Sequence, residues 1–285
     1  MLEWITEPLS FAFFRNALVA AMLSGLVSGA LGGYVVLRGL AFIGDALAHG
    51  IFPGLVIAFL LGTSFLFGGL VFGLLIALGI ALVTRNRQVS EDTAIGVFFS
   101  GAFALGVVLI SRSKGYQRDL SSFLVGDVLS ATTQDIMLGA IVGGAVLLAL
   151  FFFHKELQLV AFDPTTAAAM GYPVFGLELL LLALITLTII TSLSAVGTVL
   201  VIAMLITPAA TARLLTKRFG TLLLGGALLG AAESIVGLYV SWYANVAAGG
   251  AIVLVATGVF FLTLLVGPRQ GVLTRALRKP ARGVP

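Results

Sequence analysis

Cysteine is missing from all 285 residues, which excludes disulfides, thiolate-ligated metal sites and thiol nucleophiles. Charge is the next scarcity. Asp, Glu, Lys and Arg make up 10% of the chain, against about 25% in ordinary soluble domains. With 60% hydrophobic residues and a mean hydropathy of +1.16, the chain cannot cover a water-facing surface and reads as an integral membrane protein. It has no Walker loop, Gly-x-Ser-x-Gly elbow or His-Glu-x-x-His zinc motif, so it is not expected to hydrolyse ATP or act as an enzyme itself. The first apolar run follows Glu3, Glu7 and Arg15 without a basic leader or a small-residue cleavage site. It is expected to be retained as a helix.

Glycine, by contrast, is abundant, with 35 residues. Small residues let membrane helices approach closely. Gly25, Gly29 and Gly33 form overlapping small-xxx-small repeats, and Gly226 with Gly230 forms another; both predict packing seams. The net charge of +4 and pI near 9.7 do not point to nucleic acid. The basic residues sit at the ends of hydrophobic runs, as in cytoplasm-facing loops.

Runs long enough to cross about 30 Å of hydrocarbon lie at 11–36, 40–61, 65–83, 93–110, 133–153, 172–193, 195–205, 221–244 and 248–266. That predicts eight or nine crossings in one transmembrane domain over 1–285, with no room for a large soluble domain. The stretch from Ser192 to Pro208, around the seventh run, is short and carries Gly197 and Pro208, so it is expected to be broken or tilted. Arg269, Arg275, Arg278, Lys279 and Arg282 place the tail at 267–285 in the cytoplasm. Counting back puts Arg213, Lys217, Arg218, the 155–173 segment, Arg85, Arg87 and Arg38 on the same side. The 111–131 loop then falls outside despite Arg112, Lys114 and Arg118, and with nine crossings so does the N-terminus.

Inside this apolar sequence, Asp45-Ala46-Leu47-Ala48-His49 puts a carboxylate and an imidazole four residues apart. On a helix they share one face. Counted from Arg38 at the inner surface, Asp45 lies about 10 Å deeper and His49 about 16 Å, at 1.5 Å per residue. Ionisable groups at that depth mark an ion or substrate pathway or a cavity, and one oxygen plus one nitrogen suits Mn2+, Zn2+ or Fe2+. Pro53 can kink the helix beside the pair. The plain alternative is an Asp–His hydrogen bond that locks the kinked helix.

Between two spans, Lys155-Glu156 leads through Phe162-Asp163-Pro164 to Gly171-Tyr172-Pro173. Asp163 suits an N-cap and Pro164 the first helical position. Thr165 to Met170 can form less than two turns before Gly171 supplies a left-handed stop and Pro173 blocks continuation. Such a short capped helix fits a groove on a partner, and an ordinary interhelical turn fits it equally well.

Three stretches together resemble the permease subunits of manganese/zinc/iron-type ABC importers. They are Gly44-Asp45 through His49 to Pro53-Gly54, Lys155-Glu156 through Phe162-Asp163-Pro164 to Ala168 and Gly171, and Val196-Gly197 through Thr207-Pro208 to Ala212. Weaker echoes lie at Ser122 to Asp127, with Val125 where many relatives carry Phe, and at Gly237 to Tyr243. The resemblance implies an all-α, polytopic fold with eight or nine transmembrane helices, similar to vitamin-B12-type ABC importer permeases. It implies that Asp45 and His49 line the metal path, and that Asp163, Pro164, Ala168 and Gly171 belong to a cytoplasmic loop that docks on an ATPase. The expected partners are ABC ATPase subunits, an extracytoplasmic metal-binding protein and a second permease subunit, homomeric or heteromeric, in a bacterial-type plasma membrane. No cofactor is expected beyond the transported metal, with manganese preferred, then zinc, then iron. A secondary ion-coupled divalent-cation transporter is the competing function, and a non-transporting scaffold a third.

Other polar residues read more simply. Glu233, inside the eighth run, is by default a functional candidate, but the preferred reading has it neutral or hydrogen-bonded to Ser234 or a neighbouring helix. Glu178 and His154 lie at span ends and are expected at the interface. Pro208 reads as a helix end more than as a hinge, and Trp4, Trp242, Tyr239 and Tyr243 fit interfacial belts.

Overall fold

A computed structural model of the chain describes residues 3–85, 88–111 and 128–267. The basic tail from 268 onward, Arg87, Val125 and the charged part of the 111–131 loop lie outside the described residues. Helix α1 (Glu3–Leu9) leads into α2 (Ala12–Arg38), followed by α3 (Ile43–Gly50), α4 (Phe52–Leu60), α5 (Phe65–Thr84) and α6 (Glu91–Ser111). A 3-10 turn at Val128–Ser130 precedes α7 (Thr133–Phe152), and the short helices α8 (His154–Phe162) and α9 (Pro164–Ala169) follow it. The chain ends in α10 (Val174–Val196), α11 (Thr198–Leu215), α12 (Phe219–Ala244) and α13 (Ala248–Val266). Taking α3 and α4 as one unit, nine helices among the described residues are long and apolar enough to cross a membrane. The architecture is all-α and polytopic, and the larger of the two predicted span counts holds.

Helix α2 is the axis of the bundle, buried from Phe14 to Val35 on successive turns and packed on α7, α10, α11 and α12. Glycine makes this possible. A Cβ placed on Gly25 would overlap the carbonyl oxygen of Gly230, and one on Gly29 that of Gly226. The two predicted small-residue seams are therefore one seam, α2 against α12. Gly32 meets the Leu205 carbonyl of α11 in the same way. Lipid offers no hydrophobic drive for helices to associate, so close backbone approach supplies the packing.

The seventh run departs from expectation. Helix α10 continues to Val196, the break falls at Gly197 (φ 84°, ψ 166°), and α11 then runs unbroken through buried Pro208 to Leu215. Pro208 is neither a helix end nor a break. Membrane helices tolerate an internal proline where packed neighbours support the helix, and Pro208 is buried against the bundle.

The ends of the bundle differ in chemistry. At one end Arg38 pairs with Glu91 and Glu178, Arg213 donates to the Val36 carbonyl, and Arg85 shares a cleft with Arg38, Pro164 and Thr165. These basic positions gather on one face, as the positive-residue count requires. At the other end the Tyr243 hydroxyl donates to the Trp4 carbonyl at 2.5 Å. There Trp242 packs on Phe11 and Phe14, with ring centroids 5.3 and 5.4 Å apart.

Gly29→Val should force α2 from α12 and lower the thermal unfolding midpoint in detergent by several degrees or more, from about 1–3 kcal/mol of overpacking. Gly144→Ala, where an added Cβ meets nothing within 4 Å, should leave the midpoint unchanged or raise it. Equal midpoints for the two variants would show that the seam does not hold the bundle.

Candidate functional site

Helix α3 is short for a reason visible in its residues. Pro53 lies in the first turn of α4 and cannot continue α3's hydrogen-bond ladder. The chain therefore re-starts as α4 at Phe52, three residues beyond His49. The predicted kink is a helix junction. Ile43, Ala46, Leu47 and Gly50 turn inward and are buried, with Gly44 against the Leu205 side chain.

That leaves Asp45 and His49 on the outer face of α3. The Asp45 side chain is 46% exposed and that of His49 27%. Their Oδ1 and Nε2 atoms are 3.4 Å apart, longer than the 2.7–3.2 Å of a well-formed N–H···O bond. The pair is thus side by side without a tight bond that would consume both groups. Phe99 and Phe103 of α6 meet the imidazole edge-on, with centroids at 5.8 and 6.1 Å, and Phe103 stacks on Phe52. One side of His49 is an aromatic wall and the other side opens off the bundle. Among the described residues no three His, Asp or Glu groups come together to hold a metal. Asp45 and His49 offer one oxygen and one nitrogen, fewer than a closed divalent-metal site takes.

The 155–173 segment folds as its residue types predict, with a one-residue shift. Helix α9 spans Pro164–Ala169, with Met170 as its C-cap. The Asp163 carboxylate accepts from the amides of Thr165 (3.0 Å) and Thr166 (2.9 Å) and from the Thr166 hydroxyl (2.5 Å). At the far end Gly171 adopts φ 85°, and the amides of Gly171 and Tyr172 close onto the carbonyls of Ala168 and Ala167. Ala167 is buried, while Thr165, Thr166, Ala168 and Ala169 face outward between exposed Phe162 and Met170.

Glu233 makes neither of the hydrogen bonds that were one expectation for it. It is 3% exposed and neither carboxylate oxygen has a hydrogen-bond partner. The Ser234 hydroxyl instead donates to the Gly230 carbonyl at 2.8 Å, a back-bond to its own preceding turn. Glu233 also joins no cluster with Asp45 and His49.

Two connections at the basic end were not legible. The Nη2 of Arg38 reaches Glu91 at 2.6 Å and Glu178 at 2.9 Å, and the Tyr34 hydroxyl meets Nδ1 of His154 at 2.9 Å. His154 also stacks on Phe219 at 5.7 Å. Loop charge places Arg38 at the inner surface, and Glu178 and His154 read as span ends, but nothing in the sequence pairs them.

The sequence profile of the ABC 3 transport family matches residues 10–267. The chain belongs to that family. It is 44% identical over 272 residues to the manganese transport system membrane protein MntC of Halalkalibacterium halodurans, covering 95% of this chain and 93% of that one. It is 36% identical to a probable iron transport system membrane protein of Haemophilus influenzae, covering 96% and 97% of the two chains. Among solved structures, PsaBC from Streptococcus pneumoniae in complex with Fab superimposes with a TM-score of 0.83 at 40% identity, covering 94% of this chain and 96% of that one. Membership matches the family likeness carried by the three motifs.

Asp163→Ala removes three hydrogen bonds at the start of α9 and should cost about 1 kcal/mol of local stability. Amide exchange at 165–169 should then speed up roughly fivefold while the spans stay protected. Unchanged exchange would show that the cap does not hold α9.

Proposed function

We propose that the chain is the permease subunit of an ATP-driven importer of divalent transition metal ions, with manganese as the preferred cargo, then zinc, then iron. The observation that carries this reading is the Asp45–His49 pair on an open face of α3, at the depth the sequence predicts, with two donors and no third His, Asp or Glu among the described residues. A half-site on an exposed face is completed by a second permease subunit. Two copies facing each other supply two carboxylates and two imidazoles along a central path. Ionised Asp45 offers a charged oxygen and neutral His49 a nitrogen, so protonating either group weakens the hold on the ion. A transport site must release as well as bind, and ligands shared across a subunit interface can separate when the subunits move.

Oxygen and nitrogen donors without thiolate tolerate manganese, zinc and iron alike. The preference for manganese follows the names of relatives such as MntC, and the Haemophilus relative keeps iron in the range. Family membership favours ATP-driven transport over a secondary carrier. Energy then comes from separate ABC ATPase subunits docked at α9 through Asp163, Pro164, Ala168 and Gly171. A metal-binding protein on the outer face of a bacterial-type plasma membrane delivers the ion.

In cells deprived of their own manganese uptake, the intact transporter should restore 54Mn accumulation. Asp45→Asn and His49→Ala should each reduce it at least about tenfold, on the scale of losing one donor, with the protein's membrane abundance unchanged. Full uptake by both variants would overturn Asp45 and His49 as the metal path. Uptake that survives removal of 163–171 would overturn the docking role of α9.

A further inference from the structure

The basic end of the bundle holds an ionic junction for which the metal half-site has no direct use. Arg38 is the last residue of α2, and its side chain is only 10% exposed. A single nitrogen, Nη2, is shared by Glu91 at 2.6 Å and Glu178 at 2.9 Å. Glu91 is the first residue of α6, the helix whose Phe99 and Phe103 face His49. Glu178 lies in the second turn of α10, which follows α9 directly. On the other side of α9, α8 begins at His154, and His154 is bonded to Tyr34, one turn before Arg38. Both helices flanking α9 are therefore tied to the last turns of α2. Beyond Arg38 the chain turns at Gly39, with φ 74°, and enters α3 with Asp45 in its first turn.

Helix α9 itself stands off from this junction. A cleft of about 580 Å³ separates them, lined by Pro164, Thr165 and Ala168 on one side and by Arg38, Glu91 and Glu178 on the other. Displacement of α9 thus has two firm routes into the bundle, through His154 to Tyr34 and through Glu178 to Arg38. The cleft leaves room for the movement. Helix α9 is packed at Ala167 but open towards the cleft, so it can move on that side while its bonded flanks pass the motion on.

We propose that Arg38, Glu91 and Glu178, supported by Tyr34 and His154, form the junction through which movement of α9 repositions Asp45, His49 and the aromatic wall of α6. These are positioning residues, since none is near enough to the half-site to touch the ion. The proposal rests on the reading of the chain as an ATPase-coupled permease. The junction is suited to transmit because one buried guanidinium serves two carboxylates. Loss of Glu178 frees α10 yet leaves Arg38 paired with Glu91, so the cation is never left bare inside the protein. Each arm can be cut separately.

Coupling between two sites is measured as the change that one ligand makes in affinity for the other. The test uses the complete permease–ATPase complex in nanodiscs, with Mn2+ as the probe and a non-hydrolysable ATP analogue. In the native complex the analogue should shift Mn2+ affinity within the usual allosteric range of about 5- to 150-fold. Glu178→Gln should shrink that shift to within about twofold, while nucleotide-free Mn2+ affinity and the unfolding midpoint stay close to native. Tyr34→Phe, which removes a single hydroxyl, should reduce the shift part-way.

A full nucleotide-dependent shift in both Glu178→Gln and Tyr34→Phe would overturn the junction and leave the permease reading intact. Loss of nucleotide-free Mn2+ binding or of thermal stability in both variants would also overturn it, by showing a purely structural role. A native complex that binds no Mn2+ would instead overturn the functional reading, and this inference with it.

Discussion

Helix α2 can occupy the centre of this protein because glycine lets three of its turns touch neighbouring backbone. Gly25 and Gly29 lie against the carbonyls of Gly230 and Gly226, and Gly32 lies against that of Leu205. In a bilayer the lipid is as apolar as the helices, so such van der Waals contact has to hold them together. Everything that follows is referred to this axis. Helix α11, set on α2 by the Gly32 contact, backs α3 through Leu205 at Gly44. The last turns of α2 then carry Tyr34 and Arg38 to the end where α6, α8 and α10 begin.

The same frame explains why the half-site is open. Helix α3 buries Ile43, Ala46 and Leu47 against the bundle, and helical periodicity leaves positions 45 and 49 to face away. A face that holds a carboxylate and an imidazole cannot be left to lipid at low cost. The surfaces of α3 and α6 around it, including exposed Phe42 and Val97, belong against a partner subunit under the proposed assembly. Under that proposal, incomplete ligation and exposure are two aspects of one arrangement, a subunit interface that completes the metal path.

Much of this was legible from local sequence. The spans follow from runs of apolar residues, and eight of the nine agree with the helices within a few residues. The capped α9 follows from Asp163, Pro164 and Gly171, whose effects act within one turn. The glycine seams were marked by four-residue spacing, although nothing in that spacing said that Gly25 and Gly29 would meet Gly230 and Gly226. The seventh run misled because glycine and proline were weighed together. Gly197 ends a helix, while Pro208 sits in one whose neighbours tolerate it.

The sequence by itself determined that the chain crosses the membrane, where most of its spans start and stop, and that Asp45 and His49 share a face. Those properties depend on hydropathy and on contacts within about one helical turn. The tertiary structure decided which way that face looks, that Glu233 has no hydrogen-bond partner among the described residues, and that Arg38 is held by carboxylates 53 and 140 positions away. These outcomes depend on which helices pack together, and chain spacing carries no record of contacts between residues so far apart.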